Sequence, residues 1–233
     1  LDGPLGTRGG GYLVSLRSGF AGDVSPKPEP AYPNGGTGDG LLKLEVPALG
    51  GRFRLLGYQG RVGLSAAARV GPASQAPGGK LRNAFSWQSR SVGLEWQGST
   101  RSSTLRVMSW LATGDASADW AAESGAFDVA GGRRDIGLLA TREARSLGGS
   151  SLLGLRAEYS RTSYRIDSDT VARPSWGLDG RAPLATAFAQ HTRPLNDRVQ
   201  LRVGASLTAA PGGLHLSPGA QLDWRVSPVL SLA

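Results

Sequence analysis

Val199-Gln200-Leu201-Arg202-Val203-Gly204-Ala205-Ser206-Leu207-Thr208-Ala209 is the stretch that decides the fold. Val199, Leu201, Val203, Ala205, Leu207 and Ala209 are apolar, and the residues between them are polar or glycine. Side chains alternate across a β-strand, so this segment has one wholly apolar face and one polar face. Its length matches the roughly nine to eleven residues with which a tilted strand crosses a membrane.

The pattern recurs along the chain. Leu153, Leu155, Ala157 and Tyr159 oppose Gly154, Arg156, Glu158 and Ser160. Ala220, Leu222, Trp224 and Val226 oppose Gln221, Asp223 and Arg225. Leu42, Leu44 and Val46 oppose Lys43 and Glu45, and Val92, Leu94 and Trp96 oppose Gly93 and Glu95. Ile136, Leu138 and Ala140 alternate with Asp135, Gly137 and Thr141, with Leu139 out of phase. The periodicity predicts eleven strands, near 12–20, 40–48, 52–66, 84–98, 103–115, 133–145, 151–166, 184–194, 199–210, 215–226 and 229–233.

The connections are of two kinds. Leu49-Gly50-Gly51, 99–102, Leu147-Gly148-Gly149, Leu195-Asn196-Asp197 and Ser227-Pro228 are tight, whereas 21–39, 67–83, 116–132 and 167–183 are long. They alternate, except that Pro211-Gly212-Gly213 is short where a long tip is expected. All tight turns therefore gather at one end of an antiparallel sheet, as in an outer-membrane barrel with short periplasmic turns and longer outer loops. Trp87, Trp96, Trp110, Tyr164 and Trp224 lie near predicted strand ends, where aromatic girdles would sit.

Composition agrees. Among 233 residues there are 35 Gly and 14 Pro, which favours frequent turns over long helices. A mean hydropathy of −0.20 is ordinary for a soluble protein, but alternation keeps a transmembrane barrel near zero as well. No cysteine is present, which excludes disulfides, thiolate metal sites and cysteine catalysis. The net charge of +8 is spread along the strands as isolated arginines. A nucleic-acid binder would gather it in a patch, so no nucleic-acid partner is expected.

The fold class expected is all-β: an antiparallel transmembrane β-barrel, partial, with about eleven strands of a larger up-and-down barrel. Residues 1–233 form that one domain. An antiparallel barrel closing on itself wants an even strand count; eleven leaves the first and last strands parallel and poorly matched, unless a strand is miscounted and closure comes at ten or twelve. An open edge in lipid leaves peptide groups unpaired at several kcal/mol each. Leu1-Asp2-Gly3-Pro4 has neither the basic start nor the apolar stretch of a signal peptide, so a mature or excised segment is expected.

Short motifs in order resemble TonB-dependent outer-membrane receptors. Gly3-Pro4-Leu5 followed by Tyr12-Leu13-Val14-Ser15-Leu16-Arg17 is similar to the turn that leaves the plug and the strand that enters the barrel. Asn83-Ala84-Phe85-Ser86-Trp87, Ala187-Phe188-Ala189-Gln190, the run 195–204 and Leu216-Ser217-Pro218-Gly219 resemble later family segments. Gly219 stands where the family usually has arginine. The resemblance implies the first half of a 22-stranded barrel, without the plug domain. It also implies a setting in the outer membrane of a Gram-negative-type cell. The function implied is energised uptake of a scarce solute: an iron chelate, cobalamin or a glycan. Implied partners are outer-membrane lipid and lipopolysaccharide, the plug of the same parent chain, TonB through that plug, and a small solute. Two other functions fit the alternation, a passive pore or a structural outer-membrane barrel. A soluble all-β binding module is the third.

No catalytic set emerges: no Gly-x-Ser-x-Gly elbow occurs, and His191 and His215 have no acidic triplet beside them. No enzyme activity, cofactor or metal is expected. Asn34-Gly35-Gly36-Thr37-Gly38-Asp39-Gly40 is expected to be an outer loop rather than a phosphate or calcium loop, because no helix pattern follows it and it occurs once. Lys43, Glu45, Glu95, Arg106, Arg156, Glu158, Arg202, Asp223 and Arg225 are expected to face the lumen and pair there. Outer loops on a rigid scaffold carry recognition, so Tyr32, Trp120, Phe127 and Trp176 are candidate ligand contacts.

Overall fold

A computed structural model describes residues 1–6, 9–20, 34–67, 82–122, 125–146, 148–168, 175–225 and 231–232. They form one antiparallel sheet in chain order. Its strands are β1 (Asp2–Leu5), β2 (Gly10–Phe20), β3 (Asn34–Ala48), β4 (Gly51–Ala67), β5 (Arg82–Ser99) and β6 (Ser103–Ala122). They continue as β7 (Gly125–Ser146), β8 (Gly149–Ser168), β9 (Trp176–Pro194), β10 (Val199–Ala210), β11 (Gly213–Arg225) and β12 (Ser231–Leu232). Each pairs only with its sequence neighbours, so the sheet is open between β1 and β12 among the described residues.

Twelve strands stand where eleven were expected. The extra one is β1, four residues that pair with β2 through Asp2↔Leu13 to Leu5↔Gly10. Gly3-Pro4 therefore lies in a strand and not in a turn, and the openness of the sheet rests on its pairing rather than on an odd count. Asn34–Gly40 is also strand, paired with β4 throughout and with β2 from Gly36 onward. The expected long loop at 116–132 is mostly hairpin, because β6 and β7 pair without a slip up to Ala122↔Gly125. The loop expected at 167–183 likewise shrinks to the segment between Ser168 and Trp176. The rest of the loops expected at 21–39 and 67–83 lies outside the described residues.

Tight turns join the strands at the other end. Leu49 and Gly50 have φ of 53° and 68°, the left-handed pair that a two-residue hairpin needs for its twist to match its strands. Only glycine enters that region without strain, so Leu49 bears the cost of the β3–β4 turn. β10 and β11 are also joined by two residues at the opposite end, as the sequence indicated.

Among the described residues no hydrophobic side chain is buried. Leu42, Leu94, Leu111, Leu138, Leu155, Leu207 and Leu222 are 37% to 64% exposed, and all lie on one face by register. Covering a leucine with an apolar medium gains roughly 1.5–3 kcal/mol. A sheet with no core and a continuous apolar band gains it from lipid, and we call the banded face outward.

Strand lengths exceed the bilayer. β6, β7 and β8 have 20, 22 and 20 residues, about twice what a crossing needs. Their upper halves rise above the membrane.

Candidate functional site

The inward face has two zones. Nearer the tight turns it is a charged ladder. Arg54 Nε donates to Glu45 at 2.9 Å and its Nη1 to Glu95 at 2.8 Å, while Glu95 also accepts from Arg106 Nε at 2.8 Å. Arg52 donates to Glu45 at 2.5 Å. The alternating signs follow from register: Glu45, Arg54 and Glu95 are direct neighbours across β3, β4 and β5. Such cross-strand pairs stabilise by roughly 0.2–1 kcal/mol each. Arg52 and Arg54 were missed in the sequence, although their alternation with Phe53 and Leu55 marks them as inward.

The ladder continues around the sheet. Arg156 donates to Glu158 at 2.5 Å and lies over the Trp110 ring, 5.8 Å from its centroid. Asp135 accepts from Arg133 at 2.7 Å and from Ser160 at 2.5 Å. Arg202 donates to Gln221 at 3.1 Å, and Gln221 donates to Asp223 at 2.8 Å. Lys43 and Arg225 take the same face by register, opposite Leu56 and Ser231. All nine lumen-face charges read from the sequence thus share one side of the sheet.

Trp110 is not at a strand end. It sits within β6 and lies across Gly137 of β7, where an added Cβ would fall inside the indole. Phe188 lies over Gly154 in the same way. Trp96 and Trp224 face outward near the tight turns, and Trp87 and Tyr164 face inward.

Above the ladder the polarity of the two faces reverses. Leu64, Phe85, Ala118, Val129, Ile166 and Trp176 form one unbroken inward row across six strands. Val62, Trp87, Ala116, Gly131, Tyr164 and Leu178 form the next. Tyr164 and Trp176 meet edge to face with centroids 5.7 Å apart. The outward residues at this height are polar instead, with Ser86 and Ser117 hydrogen-bonded at 2.7 Å and Arg161 donating to Asp179 at 2.5 Å. That guanidinium holds the Asp179 carboxyl below its usual range.

Of the predicted loop contacts, Trp176 opens β9 within this apolar wall, about half exposed. Trp120 and Phe127 pair in register near the β6–β7 tip. Tyr32 and the Trp120 side chain lie outside the described residues. The two histidines are on opposite faces: His191 bonds Ser151 Oγ at 2.9 Å on the outward face, and His215 stands opposite Thr208 on the inward one.

No family model and no curated protein matches the sequence. Solved structures do. The ferric yersiniabactin uptake receptor FyuA of Yersinia pestis aligns with 97% of this chain and 42% of its own, at 14% identity and a TM-score of 0.66. The siderophore receptor PirA of Acinetobacter baumannii aligns with 97% and 38%, at 12% identity and 0.61. The ferric preacinetobactin receptor BauA of the same organism aligns with 95% and 44%, at 11% identity and 0.56. The sheet resembles the barrel of TonB-dependent receptors. At these identities the likeness speaks for the fold alone, that of an outer-membrane β-barrel. The chain spans less than half of each receptor, and these neighbours are receptors rather than enzymes.

Proposed function

We propose that the chain is part of an outer-membrane receptor for energy-coupled uptake of a scarce solute, and that the solute is an iron chelate. The observation that carries this reading is the double apolar row on the inward face above the membrane. A passive pore is lined by polar residues throughout, because water and ions pass through it. Phe85, Trp87, Tyr164 and Trp176 instead offer stacking faces to an organic shell around a metal. The three structural neighbours named for siderophores support the same class over cobalamin or a glycan. Energy coupling requires the plug of the parent chain and its contact with TonB.

Uptake of radiolabelled ferric chelates by iron-starved cells tests the reading. Deleting the parent gene should abolish uptake of one of them, and collapsing the proton gradient should do the same. Trp87→Ala with Tyr164→Ala should weaken chelate binding about tenfold. Uptake that survives de-energising marks a passive pore, and unchanged uptake of every chelate in the deletion strain ends the proposal.

A further inference from the structure

Strand β10 stops short of its neighbour. It pairs with β9 only up to Ala185↔Ala209, whereas β8 and β9 stay paired up to Ile166↔Trp176. Along 176–184 the far edge of β9 has no strand beside it among the described residues.

The phase of that edge follows from the turn below it. Leu195 N–H donates to Val199 O at 2.8 Å, so the odd-numbered residues of β9 turn their peptide groups toward β10. Both ladders of β9 run without a slip, so the phase holds to its top. The N–H groups of Gly177, Asp179 and Arg181 therefore point to the open edge, as do the C=O groups of these residues and of Pro183. Pro183 agrees with this assignment: it has no N–H, and in this phase it takes no bond from the ladder with β8.

The side chains of the edge are sorted by face. Trp176, Leu178, Ala182 and Leu184 stand inward, and Asp179, Arg181 and Pro183 stand outward. Leu178 is 57% exposed, whereas Tyr164 beside it in the row, with strands on both sides, is 37% exposed. Asp179 is held by Arg161, so the charge that a new neighbour meets is set by Arg181, which is exposed on the outward face.

An open strand edge takes up another strand: main-chain hydrogen bonds hold it and alternate side chains select it. We propose that this edge binds an unfolded polypeptide segment of about eight residues as an added strand. Its apolar side chains lie inward against Trp176, Leu178 and Ala182, and an acidic side chain lies outward against Arg181. The segment takes the place that β10 would fill were it as tall as β9. The proposal rests on the upper halves of the strands standing above the membrane and is independent of the solute proposed above.

The test titrates the full-length parent protein in detergent with a synthetic peptide that alternates valine with threonine, one central threonine being replaced by glutamate. Residue-resolved amide exchange reads the edge. Without peptide, the amides of Gly177, Asp179 and Arg181 should exchange fast, and those of Leu178, Gly180 and Ala182, which face β8, slowly. The peptide should slow the first set by about tenfold or more and leave the second unchanged. N-methylation of the peptide in the threonine phase, whose N–H groups face β9, should abolish this slowing, and N-methylation in the valine phase should spare it. Arg181→Glu should weaken binding on the order of tenfold, and a peptide with lysine in place of glutamate should recover it. Slow exchange of the first set without peptide, at any protein concentration, means that the parent chain itself fills the edge, and overturns the proposal. Protection that rises with protein concentration means that a second copy fills it, and overturns it equally. So does binding that is indifferent to the phase of N-methylation, a comparison that needs only the wild-type protein and stands even where Arg181→Glu does not fold.

Discussion

The lower and upper halves of β5–β8 use the same pairing in opposite ways. In the lower half the outward face is apolar and the inward face carries the Glu45, Arg54, Glu95 and Arg106 ladder. In the upper half Phe85, Trp87, Tyr164 and Ile166 turn inward while Ser86, Asp115, Ser163 and Arg165 turn outward. No slip in register accompanies the exchange. The pleat is one continuous object, and the surroundings decide which of its faces is apolar: lipid outside below, water outside above.

The largest effect expected from this contrast comes from a charge placed in the band. Leu155→Arg should lower stability in refolding titrations into vesicles by about 2–4 kcal/mol. Ser163→Arg, on the same face higher up the strand, should stay within about 0.5 kcal/mol. Equal costs would break the comparison. Packing on the inward face comes next. Gly137→Leu must displace Trp110, and overpacking of that kind costs about 1–3 kcal/mol, with a shift in tryptophan emission. At Gly131 in the upper half an added Cβ meets Tyr164 no closer than 3.6 Å, an ordinary contact, so Gly131→Ala should be tolerated.

Smaller effects sharpen the picture. Glu95 is 12% exposed and is shared by Arg54 and Arg106, so Glu95→Gln should cost about 1 kcal/mol, less at high salt. The least effect is at the tip of the β6–β7 hairpin, where Asp119 stands opposite Asp128. A hydrogen bond to Asp128 raises the Asp119 pKa above its unfolded value. Its contribution is fully present below the unfolded carboxyl pKa and is lost as pH rises through the folded one. Amide exchange at the tip should therefore speed up as pH rises through that range, beyond the intrinsic pH trend. Asp119→Asn should remove the excess.

The same reversal explains what could be read from the sequence. Strand β10 was plain because it stays within the bilayer and keeps one phase throughout. Strands β6 and β7 run beyond it, and their apolar residues change parity between Leu111 and Ala116, which resembles a loop when only one phase is followed. Asn34–Gly40 read as a loop because its glycines have no side chains to alternate, yet β4 pairs with all of it and β2 with 36–40. With four residues, β1 is too short to show any period. That the nine charges share one face of the sheet was legible by parity alone. The seating of Trp110 on Gly137 was not, because it depends on which residues two strands bring opposite each other.

The unequal heights of β9 and β10 give a gauge of depth that does not depend on polarity. Pairing between them ends at Ala185↔Ala209, while β9 continues to Trp176 with β8 alone. Along 176–184 one edge of β9 thus has no register partner among the described residues. In hydrocarbon each orphaned peptide group would cost several kcal/mol, whereas in water it is solvated at once. The bilayer surface must then lie at or below Ala185, two residues below Pro183 and four below Arg181. Saturation of the backbone and chemistry of the side chains, two properties encoded separately, place the waterline within about two residues of each other on β9, the one at Ala185 and the other between Pro183 and Arg181.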